Sequence, residues 1–160
     1  MDGADMAITA TRDETNSHKH DFEPKIVAFL CTWCSYAGAD LAGTSRLHYP
    51  ENLMPIRVMC SGRVDPEFVI RAFKDGADAV GIFGCHPGDC HYINGNHKTM
   101  ARIPLLKKML AQMGIEPERL QLHWVSASEG TRYAEIVTKM TEEIRKLGPL
   151  NWESVEENNH

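Results

Sequence analysis

The residues best suited to chemistry in this 160-residue sequence are its five cysteines, Cys31, Cys34, Cys60, Cys85 and Cys90. Their number is odd, and the first two dozen residues show neither a basic leader nor an apolar signal core. A disulfide framework is therefore not expected. Thiolate metal binding or thiol redox chemistry in a cytoplasmic setting is the leading class. Two pairs have suggestive spacing, CTWC at 31–34 and CHPGDC at 85–90, with Cys60 alone in MCSG. Either spacing by itself is a weak signal, so the elements that position these residues must decide.

From Pro24 onward, short apolar runs alternate with longer amphipathic stretches. PKIVAFL, MPIRVM, ADAVGIFG and RLQLHWVS read as strands, rich in β-branched and apolar residues as expected for a sheet buried on both faces. Helices are expected over SYAGADLAGTSRLHY, over VDPEFVIRAFKDG, over HKTMARIPLLKKMLAQMG and from about Ser128 to Leu147. Asp65 is a natural N-cap with Pro66 in the first turn, and Gly76 closes that helix. Pro104 should kink the third helix or mark its start. Ser126 and Glu129 have capping-box spacing, and Gly148-Pro149 is a stop signal. The alternation implies an α/β fold. One domain is expected, a four-stranded parallel sheet with helices on both faces, flavodoxin- or Rossmann-like. Right-handed crossovers place all strand carboxyl ends on one edge, where such folds keep their sites.

All five cysteines then fall just past the carboxyl ends of strands 1 to 3. Neighbouring strands lie about 4.8 Å apart, so three loops can gather thiolates around one centre. Core filling by small apolar cysteines explains any one of them more readily than all five. Zinc with four ligands, an iron–sulfur cluster on four cysteines, and a CxxC thiol-redox site all remain open. A zinc-stabilised or thiol-redox α/β domain is thus the alternative to a cluster protein. Gly62, Gly84 and Gly88 would let backbone approach the sulfurs, and His86 and His91 are expected to hydrogen-bond around them. Trp33 either shields the centre or anchors its loop. No GxGxxG or Walker motif follows the first strand, so a phosphate-binding site is not expected. Catalytic residues are expected to be none, and no cofactor site beyond the metal centre is expected.

Composition excludes other classes. No run approaches the roughly 20 apolar residues of a membrane span. The formal net charge of −5 belongs to the ends. Residues 1–23 read as a flexible polar arm and residues 151–160 as an acidic tail, while the intervening 24–150 domain carries 15 basic and 13 acidic residues. No basic stripe for nucleic acid is present.

The motifs CTWCSYAGADLAG, RVMCSGRVDPEFVIRAFKDGADAVGIFGC and CHPGDCHYINGN together resemble the delta subunit of methyl-viologen-reducing hydrogenase, over about Pro24 to Leu150. All five family cysteines have counterparts. The resemblance implies a 2Fe–2S protein of methanogenic archaea. It would pass electrons from hydrogenase small and large subunits, or from a formate dehydrogenase, to the flavin subunit of heterodisulfide reductase in an electron-bifurcating complex. Four of Cys31, Cys34, Cys60, Cys85 and Cys90 would then be ligands, with the fifth undetermined.

Overall fold

The computed structural model describes residues 22–157. The polar arm expected over 1–23 lies almost wholly outside them. Four strands, β1 (Ile26–Cys31), β2 (Leu53–Val58), β3 (Ala79–Gly84) and β4 (Leu120–Trp124), form one parallel sheet in the order β2-β1-β3-β4. The helices are α1 (Ser35–Thr44), α2 (Pro66–Lys74), α3 (Gly95–Gln112), α4 (Gly130–Leu147) and α5 (Trp152–Glu157). The doubly wound α/β architecture expected from the alternation is present.

The central strands explain themselves. β3 is buried at every position, and β1 at all but Val27. Alternate residues therefore serve opposite faces. On one face Phe29, Val80, Ile82 and Leu120 pack against Val69 and Phe73 of α2 and Ile103, Leu106 and Leu110 of α3. On the other, Ala28, Leu30 and Phe83 meet Ala42 of α1 and Tyr133 and Val137 of α4. Ile26 and Ala79 continue that layer against Met140 and Ile144. Strand β2 is one of the two edges, which is why Pro55 is tolerated there and Met54 stands 65% exposed.

Local signals set most boundaries. Asp65 caps α2 by accepting the Glu67 N–H at 3.0 Å, with Pro66 in the first turn. Its far end closes with Gly76 at φ +100° and bonds from Gly76 N–H to Phe73 and from Ala77 N–H to Ala72. Other elements depart from expectation. Helix α1 stops at Thr44, short of Tyr49, and α3 begins inside the loop that follows Cys90. Pro104 neither starts α3 nor interrupts its span. Only half of the capping box forms: the Glu129 carboxylate accepts the Ser126 N–H at 2.8 Å, while the Ser126 hydroxyl turns to Ser128. The acidic tail contributes α5, whose Val155 is 3% exposed in the core beneath Trp152.

The amino ends of the strands are stitched by charge. The Asp78 carboxylate accepts the N–H groups of Lys25 (2.8 Å) and Leu150 (2.9 Å). The buried Arg119 guanidinium donates to the carbonyls of Asp78 and Gly148, each at 3.0 Å, and to Glu116 at 2.7 Å. That partner holds the Glu116 carboxyl below the usual range. Among the described residues, no helix is long and apolar enough to cross a membrane.

His123 on β4 packs against Phe83, ring centroids 5.3 Å apart, and bonds Gln121 at 2.9 Å. Burial drives its pKa down to about 4, with Glu143 opposing and Lys139, Arg132 and Lys107 adding to the fall. A depressed histidine pKa leaves stability untouched above pH 6.5. Between pH 6.5 and 4 only the unfolded chain takes the proton, so stability should fall with pH. Urea midpoints measured across that window should decline for the wild type and decline less for His123→Gln.

Candidate metal centre

Each cysteine reaches the centre by a different local device. Cys31 is the last residue of β1, Cys60 lies two residues past β2, and Cys85 directly follows β3. The order β2-β1-β3 makes these three ends neighbours. Strands are added to one side of β1 and then to the other, so the winding of the sheet switches between β1 and β3, the position where open parallel sheets leave a crevice. All five thiols are buried and unpaired by disulfides.

The sulfurs form two groups. Cys31, Cys34 and Cys85 lie within 4.8 Å of one another, with Cys31 and Cys85 Sγ 3.8 Å apart. Cys60 and Cys90 form a separate pair, also at 3.8 Å. An edge of a tetrahedral thiolate site with metal–sulfur bonds near 2.3 Å is about 3.8 Å. Both pairs therefore already have the separation that two ligands of one metal require. A soft, all-sulfur donor set suits zinc or iron–sulfur chemistry and not hard cations.

Electrostatics sort the thiols. The Cys34 thiol donates to Cys31, and with the backbone N–H groups of Trp33 and Cys34 it brings Cys31 down to about pKa 5 against the cost of burial. The same contact, burial and the proximity of Cys85 push Cys34 up. Burial raises Cys85 to about 11 and also raises Cys60. At Cys90 burial opposes ionisation, but the N–H groups of Asn96, Tyr92 and Gly95 outweigh it and the pKa falls. Two of those donors open α3, whose Asn94 N-cap makes no side-chain bond. The sulfur of Cys90 thus takes the place of a cap at a helix N-terminus.

Several supporting residues carry no mark in the sequence. Ser35 is fully buried. Its hydroxyl accepts the Cys31 N–H and donates to the Phe83 carbonyl, both at 2.8 Å, tying the ends of β1 and β3 together. Asn96, equally buried, donates to the carbonyls of Cys85 (3.2 Å) and His86 (2.8 Å). Thr99 joins the buried Ser61 hydroxyl at 3.3 Å and the Gly95 carbonyl at 3.1 Å. A Cβ on Gly95 would run into the Cys60 sulfur and stand 3.2 Å from that of Cys90. The glycine inside INGN was the available sign, but nothing in the sequence sets it above its neighbours.

The expected glycine roles divide. The Gly62 N–H does reach the Cys60 sulfur, at 3.4 Å. Gly84 is small for a different reason: a Cβ there would meet Ser61 and Trp124 at 2.8 Å. Gly88 supplies a turn at φ +95°. The histidine expectation also needs correction, because the imidazoles turn elsewhere. His86 pairs with Glu129 at 2.6 Å, and His91 stacks on Trp33 with centroids 3.8 Å apart. What His91 offers Cys85 is its backbone N–H. Glu129 falls to about pKa 2, held by the Ser126 N–H and by His86.

A parallel α/β domain with buried thiols gathered at its strand ends has the donor set that a small metal-carrying domain would use. Residues 26–148 match the model of the delta subunit of methyl-viologen-reducing hydrogenase, and the chain belongs to that family. It is 51% identical over 133 residues to the iron-sulfur D subunit of the F420-non-reducing hydrogenase of Archaeoglobus profundus, covering 83% of this chain and 97% of the relative. It is also 48% identical over 130 residues to the A subunit of the ferredoxin:CoB-CoM heterodisulfide reductase of Methanosarcina mazei, there 81% of this chain but 16% of the relative. The A subunit of the ferredoxin/F(420)H(2)-dependent CoB-CoM heterodisulfide reductase of Methanosarcina acetivorans is 46% identical over 150 residues, 94% of this chain and 19% of that one. The relatives are thus subunits of oxidoreductases, and this domain occurs in them both alone and within a much longer chain.

Substituting Gly95→Ala should push Cys60 and Cys90 apart and lower bound metal to less than half, measured by elemental analysis of the anaerobically purified protein. Gly43→Ala has open space around it and should leave metal content unchanged while stabilising α1 by about 0.5–1 kcal/mol.

Proposed function

We propose that this chain is an electron-transfer subunit carrying one 2Fe–2S cluster. It would relay electrons from a hydrogenase or formate dehydrogenase to the flavin-bearing subunit of a heterodisulfide reductase, within an electron-bifurcating complex. The observation that carries the reading is the pairing of buried sulfurs, Cys31 with Cys85 and Cys60 with Cys90, each at 3.8 Å. Two such pairs suit the two irons of a 2Fe–2S cluster, which supplies a reversible one-electron carrier. The relatives' names support the rest: an iron-sulfur hydrogenase subunit in one case, the A subunit of a heterodisulfide reductase in two others.

On this reading Cys34 is the fifth, non-ligating cysteine. The pairs Cys31–Cys85 and Cys60–Cys90 already supply four sulfurs, and Cys34, at the start of α1 within 4.8 Å of Cys31 and Cys85, is placed for its S–H to donate to them. Hydrogen bonds to cluster sulfurs raise the potential by stabilising the reduced, more negative state. The N–H groups of Gly62 toward Cys60 and of Asn96, Tyr92 and Gly95 toward Cys90 act in the same direction. Ser35 and Asn96 fix the loops that carry Cys31 and Cys85. The chain holds and insulates a carrier and does not bind a substrate to be transformed. Its groove of about 810 Å³ lies around Ile26, Val27, Leu53 and Met54, at the strand ends away from the thiols.

Anaerobically purified protein should contain about two iron and two acid-labile sulfides per chain, with visible bands that dithionite bleaches. One zinc and no colour would sink the proposal. Serine at Cys31, Cys60, Cys85 or Cys90 should abolish the bands. Cys34→Ser should retain them with a potential shifted by tens of millivolts in protein-film voltammetry, since 59 mV corresponds to tenfold for one electron.

A further inference from the structure

We infer that Trp33 is a positioning residue for the metal centre, clamping the loop of Cys31 and Cys34 onto the loop of Cys90. The inference rests on the function proposed above and deepens it by naming what joins one sulfur pair to the other.

Each pair has its own support. The Ser35 bridge ties Cys31 to the end of β3, and the start of α3 holds Cys90 beside Cys60. The loop that carries Cys90 is tied down at His86 by Asn96 and Glu129. Beyond that point it forms neither helix nor strand until α3, and the bonds its backbone donates close on the loop itself. The Asp89 and Ile93 N–H groups reach the His86 and Cys90 carbonyls at 2.9 Å, and the Asn94 N–H reaches the Tyr92 carbonyl at 2.8 Å. Ile93 adopts φ +69°, a conformation that a β-branched residue avoids. Such a segment keeps one shape only where its surroundings over-determine it.

Trp33 supplies a contact from outside the loop. Its indole stacks on the His91 imidazole, ring centroids 3.8 Å apart and planes 15° from parallel, and its N–H donates to the Tyr92 hydroxyl at 3.2 Å. His91 and Tyr92 meet edge to face at 5.1 Å, so the rings of both loops form one unit. A hydrophobic anchor would be buried in the core, but Trp33 is 48% exposed and makes these contacts at the surface. The residue it grips matters to the centre: His91 follows Cys90 in sequence, and its backbone N–H serves the Cys85 sulfur. Trp33 itself adjoins Cys34. One stack therefore links the neighbours of Cys34, Cys85 and Cys90. Residues that orient ligands from outside the ligand set govern how tightly a metal is retained. An indole does this by stacking and by a hydrogen bond that a phenyl ring cannot make.

The test measures anaerobic release of iron to a ferrous chelator from the iron-loaded full-length chain. Trp33→Ala should release iron at least tenfold faster than the wild type. Trp33→Phe keeps a ring but loses the indole N–H, and should be only a few-fold faster. Tyr92→Phe should match it, and the double variant should be no faster than either, because both changes remove the same bond. The reduced Trp33→Ala protein should also give a broadened electron paramagnetic resonance signal, sharpened again in Trp33→Phe, as the Cys90 loop is freed and then held. Leu105→Ala trims an exposed apolar side chain of α3 and should release iron like the wild type. Wild-type release and a sharp signal in Trp33→Ala would overturn the inference, as would equally fast release from Leu105→Ala, which marks a general loss of surface packing. Should Trp33→Ala not accumulate, wild-type rates in both Trp33→Phe and Tyr92→Phe would overturn it. Failure of the underlying function shows in the wild type instead. Bound zinc without iron would overturn the cluster, and the clamp is then read from zinc release, where the same order of rates supports it and equal rates overturn it.

Discussion

The hydroxyl of Ser35 stands at the point on which the centre depends. Strands β1 and β3 run side by side in parallel and end together, leaving backbone groups at their tips with no further ladder to join. Ser35 occupies that gap, accepting from the Cys31 N–H and donating to the Phe83 carbonyl at 2.8 Å each. A buried hydroxyl with both bonds made is favourable, whereas removing it would strand two buried backbone groups at about 1–3 kcal/mol each. The bridge fixes how far Cys31 sits from Cys85, and so sets the 3.8 Å between their sulfurs. The helix that supplies the serine also begins at Cys34, so one turn of chain positions Cys31, Cys34 and Cys85 together.

Burying thiols that must ionise is costly, and the fold offsets that cost with oriented N–H groups instead of basic side chains. The start of α3 aims donors at Cys90, and Gly62 supplies one to Cys60. Backbone donors are fixed in direction and do not reorganise when charge changes nearby, a useful property around a centre that gains and loses electrons. Gly95 makes this possible by letting α3 approach where a side chain would collide with Cys60. Asn96 and the Ser61–Thr99 pair then brace the loops, every one of these polar groups being buried and satisfied.

Much of this was legible in the sequence, for physical reasons. Continuous apolar runs such as AVGIFG can only be strands covered on both sides, and right-handed crossovers force their ends to one edge. That Cys31, Cys60 and Cys85 lie at one edge follows from those two rules, while their being neighbours depends on the order β2-β1-β3. Illegible were the contacts that depend on side-chain direction. Nothing in the spacing tells that Cys60 faces Cys90 while Cys34 faces Cys31. His86 looks like a partner for sulfur because it adjoins Cys85, yet it turns to Glu129, forty-three residues on in sequence and adjacent only after folding. Ser35 and Asn96 are ordinary polar residues until the strand ends come together. The tail reads as acidic and outside the domain, because two apolar residues among ten give no periodic signal, yet Val155 is enough to seat α5.

The segments flanking β1 and α4 meet at one carboxylate. Asp78 accepts the N–H of Lys25, just before β1, and that of Leu150, just after α4. Both segments therefore lie at the amino ends of the strands, with the sheet between them and the thiols. A domain whose termini are close together can be joined to a longer chain at little cost in stability. A chain joined there would leave the cysteine loops uncovered. That arrangement gives a physical reason why relatives of this domain occur both as a separate subunit and as less than a fifth of a large polypeptide. The Asp78–Arg119 network ties the loop before β3 to the end of α4 and so braces that end of the sheet.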